Sequence, residues 1–342
     1  MDDTNMMSEG SIAKKIIYFA IPLFLGNLFQ QLYNTADSLI VGNFLGSSAL
    51  AAVASSGNLI FLLVGFFNGI SVGAGVVIAR FFGAHDHKRV HLSIHTTVAL
   101  GIVCGIVLTI LGVVFAPKIL ILMGTPQDVL PNSIIYFRVY FMGSLAFVLY
   151  NAFTGILQAL GDSKHPLYYL IISSVINVVL DIVFITVFDM GVGGAALATI
   201  ISQIVSAVLC FVHLIKLPAY PLKVQQIRFD LPMLKLVIQN GLPAGIQNSI
   251  IALANVVVQS YINSFGQMAV AGCGAYSKIE GFGFLPITCF ALAMTTFVSQ
   301  NIGAKKYDRV KKGTRFGIIC SLVLAQIIGM IIFIGAPFLI GL

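Results

Sequence analysis

The sequence contains no tryptophan, and only 9% of its 342 residues are charged. A soluble globular domain gives about a quarter of its residues to Asp, Glu, Lys and Arg, so this scarcity of charge excludes that class. The short alternating segments of a transmembrane β-barrel are also missing. No Cys-x-x-Cys pair occurs. Cys104, Cys210, Cys273, Cys289 and Cys320 stand singly inside apolar runs, which reads as packing rather than disulfide or metal use. The N-terminus, MDDTNMMSEGSIAKK, is polar and partly acidic. The apolar run behind it lacks a small-residue cleavage site, so a secretory signal is not expected. Without tryptophan, aromatic surface must come from Phe and Tyr.

What the chain has instead is long apolar runs, many reaching the ~18–20 residues that span a bilayer. Hydrophobic residues make up 58% of it. We count nine spans, roughly 16–41, 50–80, 93–115, 132–160, 167–188, 193–215, 235–263, 269–300 and 314–341. The expected class is an all-α polytopic membrane protein. Its connectors alternate between basic ("GAHDHKRVH", "GDSKHP", "KLPAYPLKVQQIRFD", "GAKKYDRVKKG") and nearly uncharged ("GNFLGSS", "FDMGVGG", "NSFGQMA"). Sixteen of the 19 lysines and arginines fall on one side if the N-terminus is cytoplasmic, and the positive-inside rule then fixes that orientation. The net charge of +7 is therefore a topology signal and no sign of a nucleic-acid partner.

An internal repeat organises the spans. "FFGAHDHKRV" (81–90) matches "NIGAKKYDRV" (301–310) at a shift of 220, and "AIPLFLGN" (20–27) answers "GLPAGIQN" (241–248) at 221. Two halves with six spans each would share one orientation, giving a parallel repeat about an axis along the membrane normal. The expected domains are a six-helix lobe, 1–222, and the first three helices of a second lobe, 223–342. The counterparts of the last three spans are absent, so a fragment is expected.

Two acids sit where burial is unfavourable. Asp37 lies in the outer half of the first span and Asp181 in the outer half of the fifth. An acid at bilayer depth costs about 2.5–3.5 kcal/mol on insertion scales, so both should face the protein interior or a wet cavity. Asn34 and Asp37 share a helical face at i, i+3, and Asn177 and Asp181 share one at i, i+4. Thr199 lies at matching depth in the sixth span. These are hard-oxygen ligands for Na⁺, and the carboxylates equally suit a proton. Helix-to-helix hydrogen bonding is the competing role, evenly weighted for Asn177 and Thr199. The repeat counterparts of Asp37, residues 257–258, are valines, so the acid belongs to one half.

Other features are weaker. Pro22 and Pro243 occupy equivalent places, and Pro22 is a candidate hinge or a fixed kink. Lys278 and Glu280 are intramembrane charges at i, i+2, which point apart on a helix. His87, His91 and His95 read as a solvated inner face, since i, i+4, i+8 spacing spreads them over about 12 Å of axis. The glycines of "GISVGAG" (69–75) suit close helix approach.

The stretches "AIPLFLGNLFQQLYNTADSLIVGNFLG", "LQALGDSKHP", "NVVLDIVFI", "GVGGAALATIISQ" and "VSQNIGAKKYDRVKKG" resemble the multidrug and toxic compound extrusion (MATE) family along essentially the whole chain. The resemblance implies twelve helices in two six-helix lobes and a cation-coupled efflux antiporter working by alternating access. It implies that Asp37, Asn177, Asp181 and Thr199 form the cation-coupling site, for H⁺ or Na⁺. The substrate cleft, for amphipathic or cationic drugs, would draw on Gln30, Tyr33, Asn34, Asn151 and Glu280. No cofactor, no metal beyond Na⁺, no enzymatic activity and a monomer in the plasma membrane, bacterial inner membrane first, are expected. A lipid-linked oligosaccharide flippase of the related superfamily is the alternative, although its cleft should be strongly cationic.

Overall fold

The computed structural model describes residues 6–122, 125, 127–265 and 267–340, and every regular element among them is helical. In hydrocarbon an unpaired backbone N–H or C=O costs several kcal/mol, so each apolar run closes its hydrogen bonds within itself. The helices are α1 (Ile12–Gly83), α2 (His87–Leu122), α3 (Leu130–Met142), α4 (Ser144–Ala159), α5 (Lys164–Ile182), α6 (Gly191–Ile215), α7 (Leu231–Ser264), α8 (Gln267–Gly303) and α9 (Tyr307–Ile340). Exposed aliphatic side chains cover α2 (Val103, Ile106, Ile110) and α9 (Ile318, Leu322, Met330), a surface made for lipid. This is an all-helical, multi-pass membrane protein.

The first two spans divide where the sequence placed their connector, and the fourth departs from its expected form. The two arms of α1 meet at a kink at Gly46, whose φ of 84° and ψ of 179° break the helix. The fourth span is two helices, α3 and α4, which meet at 48°. Among the described residues, seven helical segments are long and apolar enough to cross a membrane, eight with that bent pair taken as one. α7, the expected seventh span, carries four amides, Gln239, Asn240, Gln247 and Asn248. Its amides are partly absorbed by α1: Asn248 Nδ2 donates to the Gly65 carbonyl at 3.1 Å. A Cβ on Gly69 or Gly73 would strike the α7 backbone at Gly245 or Gly241, so the glycines of 69–75 do serve close approach.

The repeat is visible in the backbone. α1 runs out into His85 and α8 into Lys305, both left-handed, with φ of 55° and 57°. The N–H groups of Ala84, His85 and Asp86 reach the carbonyls of Arg80, Phe82 and Phe81. Those of Ala304, Lys305 and Lys306 reach Gln300, Ile302 and Asn301 in the same order. The two ends then face each other. A Cβ on Gly83 would land on the Gln300 carbonyl and one on Gly303 on the Arg80 carbonyl, a reciprocal contact of the kind a two-fold axis produces.

The polar N-terminus is not a free tail. Met6 packs among Ile78, Phe82 and Leu160, whereas Met7 enters a different core with Phe19, Cys289 and Phe297. The Met7 N–H donates to Gln300 Oε1 at 2.8 Å. Its carbonyl accepts from Asn301 Nδ2 at 3.3 Å and from Arg309 Nε and Nη2 at 3.3 and 3.1 Å. Arg309 also reaches the carbonyls of Glu9 and Gly10 at 3.0 and 2.7 Å. The end bearing the basic connectors is thereby closed.

The histidines expected to be solvated are partly structural. His95 is buried, and its Nε2 accepts from the Lys223 N–H at 3.1 Å. Burial pushes the Tyr220 phenol above its ordinary value, so it remains a donor at neutral pH, 2.7 Å from His87 Nδ1. Both contacts tie the segment after α6 to α2.

Candidate functional site

Asp37 comes from the first arm of α1 and Asp181 from the last turn of α5, and packing of these helices brings the carboxyls within hydrogen-bonding reach. Asp181 and Asn177 are fully buried and Asp37 partly so. With both acids ionised, neither oxygen of Asp181, neither amide atom of Asn177 and not Asp37 Oδ1 has a partner among the described residues. A carboxylate only accepts hydrogen bonds, so two facing one another require a proton or a cation between them. The orphaned oxygens fit either. A π-helical turn, Val183–Val187, follows Asp181 at once, an irregularity common at functional sites.

Three tyrosines lie in the pair's electrostatic range: Tyr33 and Tyr136 near both acids, and Tyr140 near Asp37. Tyr136 is held by Val41, Ile185, Val192 and Ala196, and its ring stacks on Tyr140 with centroids 6.2 Å apart. The Tyr33 hydroxyl accepts a long hydrogen bond of 3.5 Å from Gln203 Nε2. Gln30 also lies within reach of it. Thr199, half-buried on α6, donates to the Ala195 carbonyl of its own helix at 3.1 Å, and its oxygen keeps lone pairs for a cation.

On the other side of Gln30 is a cavity of about 340 Å³. Both arms of α1, together with α4, α5 and α8, wall it. Among the described residues its polar lining is uncharged: the amides of Asn27, Gln30, Asn68, Asn151 and Gln158, with hydroxyls such as Thr154, Thr295 and Thr296. Phe147 and Tyr150 add aromatic surface, and Pro22 lies in the wall. Gln30 and Tyr33 thus connect this chamber to the acid pair through polar side chains.

The structure places the expected residues unevenly. Asp37, Asp181 and Tyr33 are brought together, with Asn177 one turn below Asp181. Gln30 and Asn151 line the cavity. Asn34 is exposed, Glu280 is half-buried on α8, and neither belongs to the cavity wall. Lys278 lies outside the residues whose side chains are described. Sequence reasoning missed Tyr136, Tyr140 and Gln203. Gln203 stands one turn from Thr199, at i+4, which was a usable signal. It also missed the amide lining, since no pattern announces which asparagines of separate spans share a chamber.

Known proteins agree on one family. The MatE family model matches residues 22–183 and 243–342. The chain is 32% identical over 340 residues to the probable multidrug resistance protein YoeA of Bacillus subtilis, covering 97% of this chain and 73% of that one. It is 23% identical over 336 residues to the multidrug export protein MepA of Staphylococcus saprophyticus, covering 98% and 74%. A solved structure of a multidrug resistance MATE family transporter of the MOP superfamily, in an outward-facing conformation, superposes with a TM-score of 0.90 at 25% identity, over 97% of this chain and 74% of that one.

Proposed function

The chain belongs to the MATE family, a family of transporters and not of enzymes, and from that premise we propose that it is an efflux antiporter for small amphipathic or cationic drugs. In this reading it works by alternating access in the bacterial plasma membrane, as a monomer with its N-terminus in the cytoplasm, and an inward flux of H⁺ or Na⁺ drives it. Residues 1–222 form the lobe that binds the driving cation, and residues 223–342 begin the second lobe. The observation that carries the reading is the unpartnered Asp37–Asp181 pair, joined through Tyr33 and Gln30 to an uncharged cavity.

Asp37 and Asp181 bind the cation, with Asn177 and Thr199 as neutral oxygen ligands. The mutual approach of the carboxyls favours a proton, since one shared proton turns a repulsive contact into a hydrogen bond. Gain or loss of that charge is felt at Tyr33, and through Gln30 at the cavity wall. Neutral amides and aromatic faces hold a cationic drug without ion pairing, so its release is not opposed by a fixed counter-charge. Loading from the basic end requires the Gly83–Gln300 and Gly303–Arg80 contacts to part. The flippase alternative fits less well, because no lysine or arginine among the described residues lines the cavity to hold a pyrophosphate.

Dye efflux from everted vesicles, under separately imposed H⁺ and Na⁺ gradients, tests the assignment. Asp37→Asn and Asp181→Asn should each reduce efflux to the vector background at unchanged membrane yield. Full efflux by Asp37→Asn would remove the acid pair from the mechanism.

A further inference from the structure

At the basic end, the turn between α4 and α5 and the last turn of α6 bring together Asp162, His165 and His213. One ligating atom from each lies within 4.8 Å of the others. Asp162 is buried, and its two oxygens do different work. Oδ1 accepts from the N–H groups of Lys164 and His165, both at 3.2 Å, which fixes the carboxyl at the start of α5. Oδ2 lies 2.6 Å from His165 Nδ1 and 3.5 Å from His213 Nε2. The imidazoles approach each other with centroids 4.2 Å apart. Behind His213, the Tyr169 hydroxyl sits 3.0 Å from Nδ1. When Nδ1–H donates to that oxygen, Nε2 turns its lone pair toward Asp162, as an outer partner does for a metal-bound histidine.

We propose that Asp162, His165 and His213 form a site for a borderline divalent cation, Zn²⁺ first, with water as the fourth ligand. Two imidazoles and one carboxylate are the donor set such ions take. Tetrahedral bonds of about 2.0–2.1 Å put ligand atoms about 3.3 Å apart. The Asp162–His213 separation already matches. The Asp162–His165 pair must widen by several tenths of an ångström, and the His165 side chain, 46% exposed, has room to turn and gives the ion its entry. Ser163 and Pro166, beside the ligands, line the central cavity. The Ala159 carbonyl, just before them, accepts the Gln300 amide at 2.9 Å. A bound ion would therefore brace the turn on which the closed end rests.

Calorimetric titration of the purified, tag-free, chelator-treated chain with Zn²⁺ tests this. One ion should bind per chain and raise the melting temperature. His165→Gln and His213→Gln should each weaken binding about tenfold or more and remove that rise, while His91→Gln should behave as the parent. Melting of the metal-free variants controls for folding. Should His213→Gln melt early, Co²⁺ bound to the parent replaces it as the test, and a tetrahedral spectrum supports the site. No uptake by the parent, parental affinity in either glutamine variant, or an octahedral Co²⁺ spectrum would overturn the proposal.

Discussion

Tyr33 stands between the two halves of the candidate site, with amides on one side and carboxyls on the other. Its hydroxyl can donate to an ionised acid and accept from Gln203 or Gln30, so its hydrogen bonds depend on the charge of the pair. A single hydrogen bond is worth about 0.5–1.5 kcal/mol net, which converts to a several-fold effect on a rate or population. Tyr33→Phe keeps the ring and should leave the melting temperature near that of the parent. Initial dye-efflux rates under a fixed ion gradient should fall several-fold, and unchanged rates would place Tyr33 outside the coupling path. The i, i+4 spacing of Asn177 and Asp181 could be read without coordinates, because one helix fixes it. The Asp37–Asp181 encounter was legible only as matched depth. Tyr136, Tyr140 and the His165–His213 approach were not legible, because they depend on which helices pack together.

The first arm of α1 holds helical geometry through Pro22, and only Gly46 departs from it. Pro22 nevertheless leaves the Tyr18 carbonyl without its i+4 donor, and it sits in the cavity wall. A proline in a helix interior costs about 3 kcal/mol relative to alanine, so Pro22→Ala should stiffen this arm. Spin labels at the exposed positions Ile17 and Leu39 straddle the proline. Their separation should change with pH or Na⁺ in the parent and stay constant in Pro22→Ala. A parent distance that ignores both ions would make Pro22 a fixed feature. At this scale hydropathy located the helices but missed the joint inside the fourth span. Gly143, within a continuous apolar run, gives no signal for the bend between α3 and α4. The uncharged "GNFLGSS", by contrast, did mark the break at Gly46. α7 reads as a span by position in the repeat, and its Asn248 leans on the α1 backbone at Gly65.

The two-fold arrangement makes the basic end a symmetric seal, and the N-terminal segment adds an asymmetric lock. The repeat was legible in the sequence as the match of 81–90 with 301–310, but the contact between the two helix ends was not. Nor was the lock, since two methionines among polar residues do not announce which cores they enter. Met6 and Met7 enter separate cores, and Arg309 holds three carbonyls of this segment, those of Met7, Glu9 and Gly10. Ser8 is taken by Lys306 Nζ at 3.0 Å. Opening this end must break these bonds along with the glycine contacts, so they bias the equilibrium between closed and open forms. Hydrogen bonds from a charged group reach about 1.5–3 kcal/mol each, but part of this set is exposed, which reduces the sum to about 1–2 kcal/mol. Arg309→Ala should therefore raise the open population about five- to thirtyfold. A cysteine at Thr296, in the cavity wall, reports it in a background without the five native cysteines. Labelling by a membrane-impermeant maleimide added at the basic end should accelerate by that factor in Arg309→Ala. Lys312→Ala, with no contact to the segment among the described residues, should label at the parental rate. Gly303→Ala tests the seal separately, because its methyl group would press on the Arg80 carbonyl and open the same end with the lock intact. Equal labelling in the parent and Arg309→Ala would reduce the N-terminal contacts to decoration on a closure that the helix ends achieve alone.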